Sequence, residues 1–487
     1  MTKKWMALAL SFVMVFTMIP VGAYAETTTF SDMPNDWSTA ALQNAVDNGL
    51  LNGADGKIMP KDNLTRAQMA TIINRAFGAE KTASLAGFAD VAQSDWFYGE
   101  MAKAVAMETF QGSGRSLNPN DPITREQAFA VIARALNLGT STVAPAGFTD
   151  LSEISSWATG EVYSLVNNGY IQGSNGKLNP QGYITRAEFA QVMDNILKQY
   201  VNVAGEYTIN VAGNAMINTP GVTLTDSTIT GDLVIGDGVG EGDVTLEDVV
   251  VTGRLLVRGG GENSIIIKGD SVVGSITVAK IDGTVRVFAE DGTEIGEVTV
   301  DGKDDVVLEG SFADIIVLAN DITVWATDAT IETATVEGDD SRIVIGAGST
   351  VEKLVVKGAG TDLEISGKVK EITVEESAED TVVTVEKDGE VDEITVNSAG
   401  TLIEGEGEVD EVQANADDVV VETEGTKVSA ARGTEGVMAG DEEVESGKSG
   451  VVGEEEETRD RRPSSSSAIT VSAISVEPKE LMLKVDE

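Results

Sequence analysis

Two spacings of apolar residues divide this chain. Up to about residue 203 the apolar positions fall three and four apart, as in Met69, Ile72, Ile73 and Phe77, in Phe189, Val192, Met193 and Leu197, and in Leu42, Ala45, Val46 and Leu50. That is the one-face pattern of amphipathic helices. From about Gly205 it gives way to short β-branched runs separated by Gly, Asp and Asn, the signature of strands joined by tight turns. An all-α part followed by an all-β part is expected, and 487 residues leave room for several domains at about 100–200 residues each.

The helical part repeats itself. Leu64-Thr65-Arg66-Ala67-Gln68 returns as Ile123-Thr124-Arg125-Glu126-Gln127 and as Ile184-Thr185-Arg186-Ala187-Glu188. In each copy a Thr precedes Gln or Glu by three residues, a capping box in which the two side chains satisfy each other's backbone N–H groups, so each copy starts a helix. Around it a unit of roughly 60 residues is written three times. Each unit opens on Phe-x-Asp (Phe30 and Asp32, Phe88 and Asp90, Phe148 and Asp150) and carries a Trp soon after (Trp37, Trp96, Trp157). A first helix follows and stops at a Gly such as Gly49 or Gly169. A loop then reads Asn52-Gly53, Gln111-Gly112-Ser113 or Gln172-Gly173-Ser174 and leads through Met59-Pro60, Asn118-Pro119 or Asn179-Pro180 to the capped helix. The divisions fall at 26–84, 85–143 and 144–203.

The Arg after each Thr is out of place electrostatically, because the first turn of a helix carries partial positive charge. Free N–H groups at a helix start together with a guanidinium make a site for a carboxylate or phosphate. The alternative is a structural tie from each Arg to an Asp of its own repeat, Asp32, Asp90 or Asp150. Each Trp also has two readings, since an aromatic beside a helix start ordinarily belongs to the core.

Taken together, Phe-x-Asp, the Trp, the Gly-containing loop, the Pro and the Thr-Arg-Ala-Glu run resemble S-layer homology domains over about residues 26–203, and three in tandem is that family's usual set. The resemblance implies a pseudo-threefold bundle that binds a pyruvylated secondary cell wall polymer attached to peptidoglycan and holds exported proteins on a Gram-positive-type surface. Carried over residue by residue, it implies Arg66, Arg125 and Arg186 for the acidic sugar and Asp32, Asp90 and Asp150 for its polar groups. Trp37, Trp96 and Trp157, with Gly112, Ser113, Gly173 and Ser174, fall near the groove walls. With the family in view, the ligand reading of the Arg residues is the favoured one. The chain departs from the family at Gln68 and Gln127, where Glu is usual, and at Asn52-Gly53-Ala54 in the first loop; Gln still completes the capping box.

In the β part, Thr277-Val278, Thr299-Val300, Ile316-Val317, Thr335-Val336, Val355-Val356, Thr373-Val374 and Thr395-Val396 recur roughly every 20 residues. A second strand set lies between them, including Val285-Arg286-Val287 and Ile343-Val344-Ile345. Two sets per period predict a parallel β-solenoid over 204–431, some ten coils in a rod on the order of 50 Å long, acting as stalk or platform. Its opening, from Ile229 to Gly261, resembles β-helical segments found beside S-layer homology domains.

Two rival functions stay open. One is an anchored polysaccharide-degrading enzyme with the β-helix as catalytic domain, which needs two carboxylates at a fixed separation. The acidic residues instead spread over turns such as Glu337-Gly338-Asp339-Asp340, as on a solvated edge. No enzyme activity is therefore expected. The other rival is an S-layer lattice subunit, with self-association of solenoids. No cofactor is expected; Ca²⁺ stays open, with no EF-hand or nonapeptide pattern to specify it.

Composition narrows the chemistry. There is no Cys and no His, which removes disulfides, thiolates, imidazole ligands and His-based triads. A net charge of −46 argues against nucleic acid as a partner. Lys3 and Lys4, the apolar run from Trp5 to Pro20 and Ala23-Tyr24-Ala25 predict a signal peptide at 1–25, and hence export to the cell wall or cell surface. No later run reaches the ~20 apolar residues of a membrane span, so no membrane insertion is expected. Residues 432–468, with charge runs and Ser464 to Ser467, predict a disordered linker. Residues 469–487 alternate like strands and resemble the start of a bacterial immunoglobulin-like domain.

Overall fold

A computed structural model describes residues 30–453. The signal peptide expected at 1–25, the expected linker from residue 454 onward and the Ig-like segment at 469–487 lie outside the described residues.

Three helices begin where the capping boxes place them. In α2 (Arg66–Phe77), α4 (Arg125–Ala135) and α6 (Arg186–Ile196) the Thr side chain accepts from the N–H three residues on, and that residue's side chain accepts from the Thr N–H. Each is preceded by a shorter helix, α1 (Thr39–Asp47), α3 (Tyr98–Ala106) and α5 (Thr159–Asn167). Packing is cyclic: α3 lies on α2, α5 on α4, and α1 returns to α6. At the centre Ile123 N–H donates to Leu64 O (2.9 Å), Leu64 N–H to Ile184 O (3.0 Å) and Ile184 N–H to Ile123 O (3.2 Å). These three side chains are fully buried and mark a pseudo-threefold axis. Phe77, Phe129 and Phe189, the largest enclosed side chains, each contribute about 1.5–3 kcal/mol by leaving water.

No loop separates the two folds. The C-cap of α6, Leu197, already has extended backbone (φ −107°, ψ 114°), and Leu197–Val201 pairs in parallel with Asn214–Ile217. The β-solenoid therefore starts at Leu197, inside the residues assigned to the third repeat; hydrogen bonding to the first coil overrides the helical spacing that had placed Leu197 on a helix face. About 12 coils follow. Their inward positions stack in register: Val278, Val300, Val317, Val336, Val356, Val374, Val396, Ala414 and Ala430 form one column. A second column runs through Val306, Val324, Ile343, Leu363, Val383 and Ile403.

The ladder does not stop at residue 431. Ser449–Val451 pairs antiparallel with Lys427–Ala430, and Val437, Ala439, Val444 and Val452 are buried beneath the turn. The first part of the expected linker is thus the last coil, because a closing coil buries only a few small apolar side chains and leaves Asp441, Glu442 and Glu443 outside. Antiparallel closure occupies strand edges that a parallel stack would leave open.

The helical bundle packs against the first coils. Met216, Val234 and Leu256 stack on one outward column and join the helical core, all three fully buried. Farther along, the same column reads Thr277, Thr299, Ile316, Thr335 and Val355, all half-buried and none of them part of the helical core. Arg254 caps the C-terminal end of α4 through the carbonyls of Leu136 and Asn137 (2.8 Å to the latter) and pairs with Asp232 at 2.9 Å. Tyr200 Oη donates to Ala76 O at the end of α2 (2.9 Å). Helices α2, α4 and α6 therefore turn their C-terminal ends to the solenoid and their N-terminal ends away from it. Among the described residues no helix is long and apolar enough to cross a membrane.

Candidate functional site

Each of the three Arg side chains crosses to another repeat. Arg66 Nε donates to Leu117 O (2.7 Å), Nη2 to Gln111 O (3.2 Å) and Nη1 to Gln127 Oε1 (3.4 Å). Arg125 Nε donates to Leu178 O (2.7 Å), and its Nη1 pairs with Glu188 Oε1 (3.0 Å). Arg186 closes the ring, with Nε on Ile58 O (2.7 Å) and Nη2 on Asn52 O (2.8 Å). The tie to an Asp of the same repeat does not form. Loop carbonyls contributed across the threefold axis hold the guanidinium, which explains how a cation is tolerated at a helix start. Burial pushes all three guanidinium groups below their ordinary value, and nearby carboxylates oppose the shift. Arginine remains protonated in proteins even so.

The helix starts are not open. N–H groups of Arg66 and Ala67 donate to Asp121 O and Pro119 O, those of Arg125 and Glu126 to Gly182 O and Pro180 O, and those of Arg186 and Ala187 to Asp62 O and Pro60 O, at 2.8–3.0 Å. The expectation of free N–H groups is corrected: the next repeat's Pro-containing turn occupies the place foreseen for an anion.

The three Asp residues are also engaged. Asp32 accepts from Ile58 and Met59 N–H (2.7 and 2.9 Å), Asp90 from Leu117 and Asn118 (3.0 and 2.6 Å), and Asp150 from Leu178 and Asn179 (3.0 and 2.7 Å). Each carboxylate thus clamps a residue in the left-handed region just before the Pro: Met59 at φ 53°, Asn118 at 50° and Asn179 at 51°. For Asp32 and Asp150, burial alone would raise the carboxyl pKa, but the paired N–H bonds outweigh it and hold the group below its ordinary value. Phe-x-Asp also explains the loop Gly. A Cβ on Gly112 would stand 2.5 Å from Phe88 Cε1, and one on Gly173 would stand 2.7 Å from Phe148 Cε1.

Two grooves draw on all three repeats. The first, of about 910 Å³, has Arg66 from the first repeat, Gly112 and Ser113 from the second, and Trp157 and Tyr183 from the third. In the second, of about 620 Å³, Arg125 comes from the second repeat, Gly173 and Ser174 from the third, and Trp37 from the first. The indoles stand out in solvent, Trp37 at 61%, Trp96 at 64% and Trp157 at 50% exposure, so the core reading of these residues fails. Trp96 lies edge-on to Phe97, ring centroids 5.5 Å apart. A groove with a guanidinium in its wall and an indole on its rim offers a bidentate anion donor beside an apolar stacking face. Tyr183, Arg134 and Glu161 of the first groove and Tyr170 and Asn195 of the second were not foreseen from the sequence. Among the described residues no group of three or more carboxylates is placed to hold a metal ion.

Comparison with known proteins matches the geometry. A family model described as the S-layer homology domain matches residues 29–70, 87–129 and 147–190. The surface-layer 125 kDa protein of Lysinibacillus sphaericus is 31% identical over 233 residues, which cover 46% of this chain and 19% of that protein. A cell surface protein of Thermoanaerobacter kivui is 32% identical over 204 residues, 40% of this chain and 24% of its own. Exoglucanase XynX of Acetivibrio thermocellus is 27% identical over 196 residues, 39% of this chain and 18% of its own. The matches span about a fifth to a quarter of each relative's length.

Proposed function

Starting from a chain that carries three S-layer homology domains and belongs at the cell surface, we propose that the helical bundle anchors it there by gripping an anionic saccharide of the cell wall, a pyruvylated secondary polymer. The β-solenoid is the platform so anchored. Attachment, not turnover, is the function of this chain. One observation carries the reading: a largely enclosed guanidinium and an exposed indole share each of the two grooves, Arg66 with Trp157 and Arg125 with Trp37. A ketal carboxylate fits the first group and the ring of its sugar the second. The N-terminal ends of the long helices face away from the solenoid, and the second groove runs from Arg125 at such an end to Tyr170, whose hydroxyl accepts from Asn214 of the first coil at 2.9 Å.

The experiment is sedimentation of the full chain with purified cell walls. Trp37→Ala and Trp157→Ala together should abolish it without lowering the melting temperature, since both side chains are exposed, and chemical removal of pyruvate from the walls should have the same effect. Sedimentation that survives both treatments would sink the proposal.

A further inference from the structure

The second groove is not built by the bundle alone. Its Tyr170, just past the end of α5, is held from the solenoid, where Asn214 Nδ2 donates to the phenol oxygen. Asn214 is 6% exposed, and its Oδ1 accepts from Asp232 N–H on the next coil at 2.8 Å, which fixes the orientation of the amide. A Cβ on Gly231 would stand 2.1 Å from that oxygen, so only glycine leaves room for it. Asp232 in turn accepts from Arg254 Nε at 2.9 Å, and Arg254 caps α4, the helix that begins with Arg125. Asn214, Asp232 and Arg254 directly precede Ala215, Leu233 and Leu255, which stack in register, so the three form one polar column on successive coils. That column fixes Tyr170 directly, and α4 by its far end. Because the amide donates, the phenol oxygen accepts, and the phenol proton has no acceptor among the described residues. Burial raises the phenol above its ordinary value of 10.0, which keeps that proton in place. The first groove has no such tie: among the described residues none that lines it hydrogen-bonds to the solenoid. Thr109 stands there in place of Tyr170, with its hydroxyl turned back to Ala104 O at 3.0 Å.

Resting on the proposed function, we infer that Asn214 is a positioning residue of the second groove: from the solenoid it presents the Tyr170 hydroxyl as a hydrogen-bond donor to a saccharide oxygen. This groove is then complete only while the bundle is docked on the coils, and the first groove works without them. The solenoid is part of the grip as well as its cargo. By linkage, a saccharide in the second groove tightens the docking of the bundle in return.

The test reads each groove separately, in full chains titrated with purified cell walls and assayed by sedimentation. Trp157→Ala leaves the second groove in use and Trp37→Ala the first. Added to W157A, Asn214→Ala should raise the wall concentration for half-sedimentation about tenfold, as expected for one hydrogen bond, and added to W37A it should change nothing. Tyr170→Phe, which keeps the ring, should reproduce that pattern. N214A and Y170F together should weaken binding no further than either alone, since both remove one contact. A residue that merely held the bundle together would weaken both backgrounds alike. N214A that acts equally on both backgrounds or on neither, or a W157A chain that no longer sediments, would overturn the inference alone. Sedimentation that survives W37A and W157A together would overturn the grooves as binding sites and this inference with them.

Discussion

Replacing Asp150 by Ala separates a carboxylate that holds the fold from one that holds a sugar. Asp150 is 3% exposed, and its two oxygens are the acceptors for the N–H groups of Leu178 and Asn179. Leu178 is 1% exposed, so its N–H would be stranded, while exposed Asn179 can turn to water. The charge-assisted bond lost at Leu178 and the donor stranded there together amount to about 3 kcal/mol. In a bundle of this size that lowers the melting temperature by roughly 6–12 °C. Asp150→Asn keeps one acceptor but points an amide donor at the other N–H, and should fall between.

The pH dependence follows from the same contacts. Because the folded carboxyl is held below its ordinary value of 3.8, its stabilisation is complete above that range and is lost as pH falls through the lowered folded value. Wild type and D150A should therefore differ most at neutral pH and converge only in strong acid. Thermal unfolding of the full chain, followed by near-UV circular dichroism, measures both. A D150A protein that melts with wild type yet no longer sediments with walls would refute the argument and return the carboxylate to the ligand.

Three further outcomes are expected. Asp304 has a buried oxygen without a partner, and burial, with Asp282 and Asp305 adding and Lys280 opposing, raises its pKa to about 6. The folded state then holds a proton that the unfolded chain releases, so stability falls as pH rises toward 6; Asp304→Asn should melt higher than wild type at about pH 7.5 and equal to it at about pH 4. Arg254→Ala strips the cap from α4 and leaves Asp232, 18% exposed, unpaired, a cost of about 2–4 kcal/mol that calorimetry should record as earlier melting of the bundle. Ile372→Ala, fully buried between Leu354 and Ile394, should cost about 2–5 kcal/mol in the solenoid transition alone and leave wall sedimentation intact.

Local signals and contacts between repeats were not equally readable. Thr65, Thr124 and Thr185 start helices because a capping box is complete within four residues, and the stacked Val columns follow from a short apolar strand pattern that recurs every 16 to 22 residues. The destination of each Arg depends on which repeat arrives next to it in space, 45 residues or more along the chain, and no spacing within one copy reveals that. The Asp residues were found by their repetition, but their duty, clamping a left-handed residue, is performed on a loop 26 to 29 residues farther along the chain, which the repeat pattern alone does not pair with them. One missed signal was present in the sequence: the recurring Thr-Val pair becomes Met216-Ile217, Val234-Ile235 and Leu256-Val257 where the bundle covers the first coils. A run of outward apolar residues at the solenoid's start was a docking surface written in one column.

Assembly of each groove from three copies ties their histories together. A gene that lost one copy would lose both recesses at once, and a change that improves one recess is inherited by whichever neighbours borrow the same segment. Divergence in such a triplet is restricted to side chains seen by a single recess, as Gln127 lines the first and Glu188 the second.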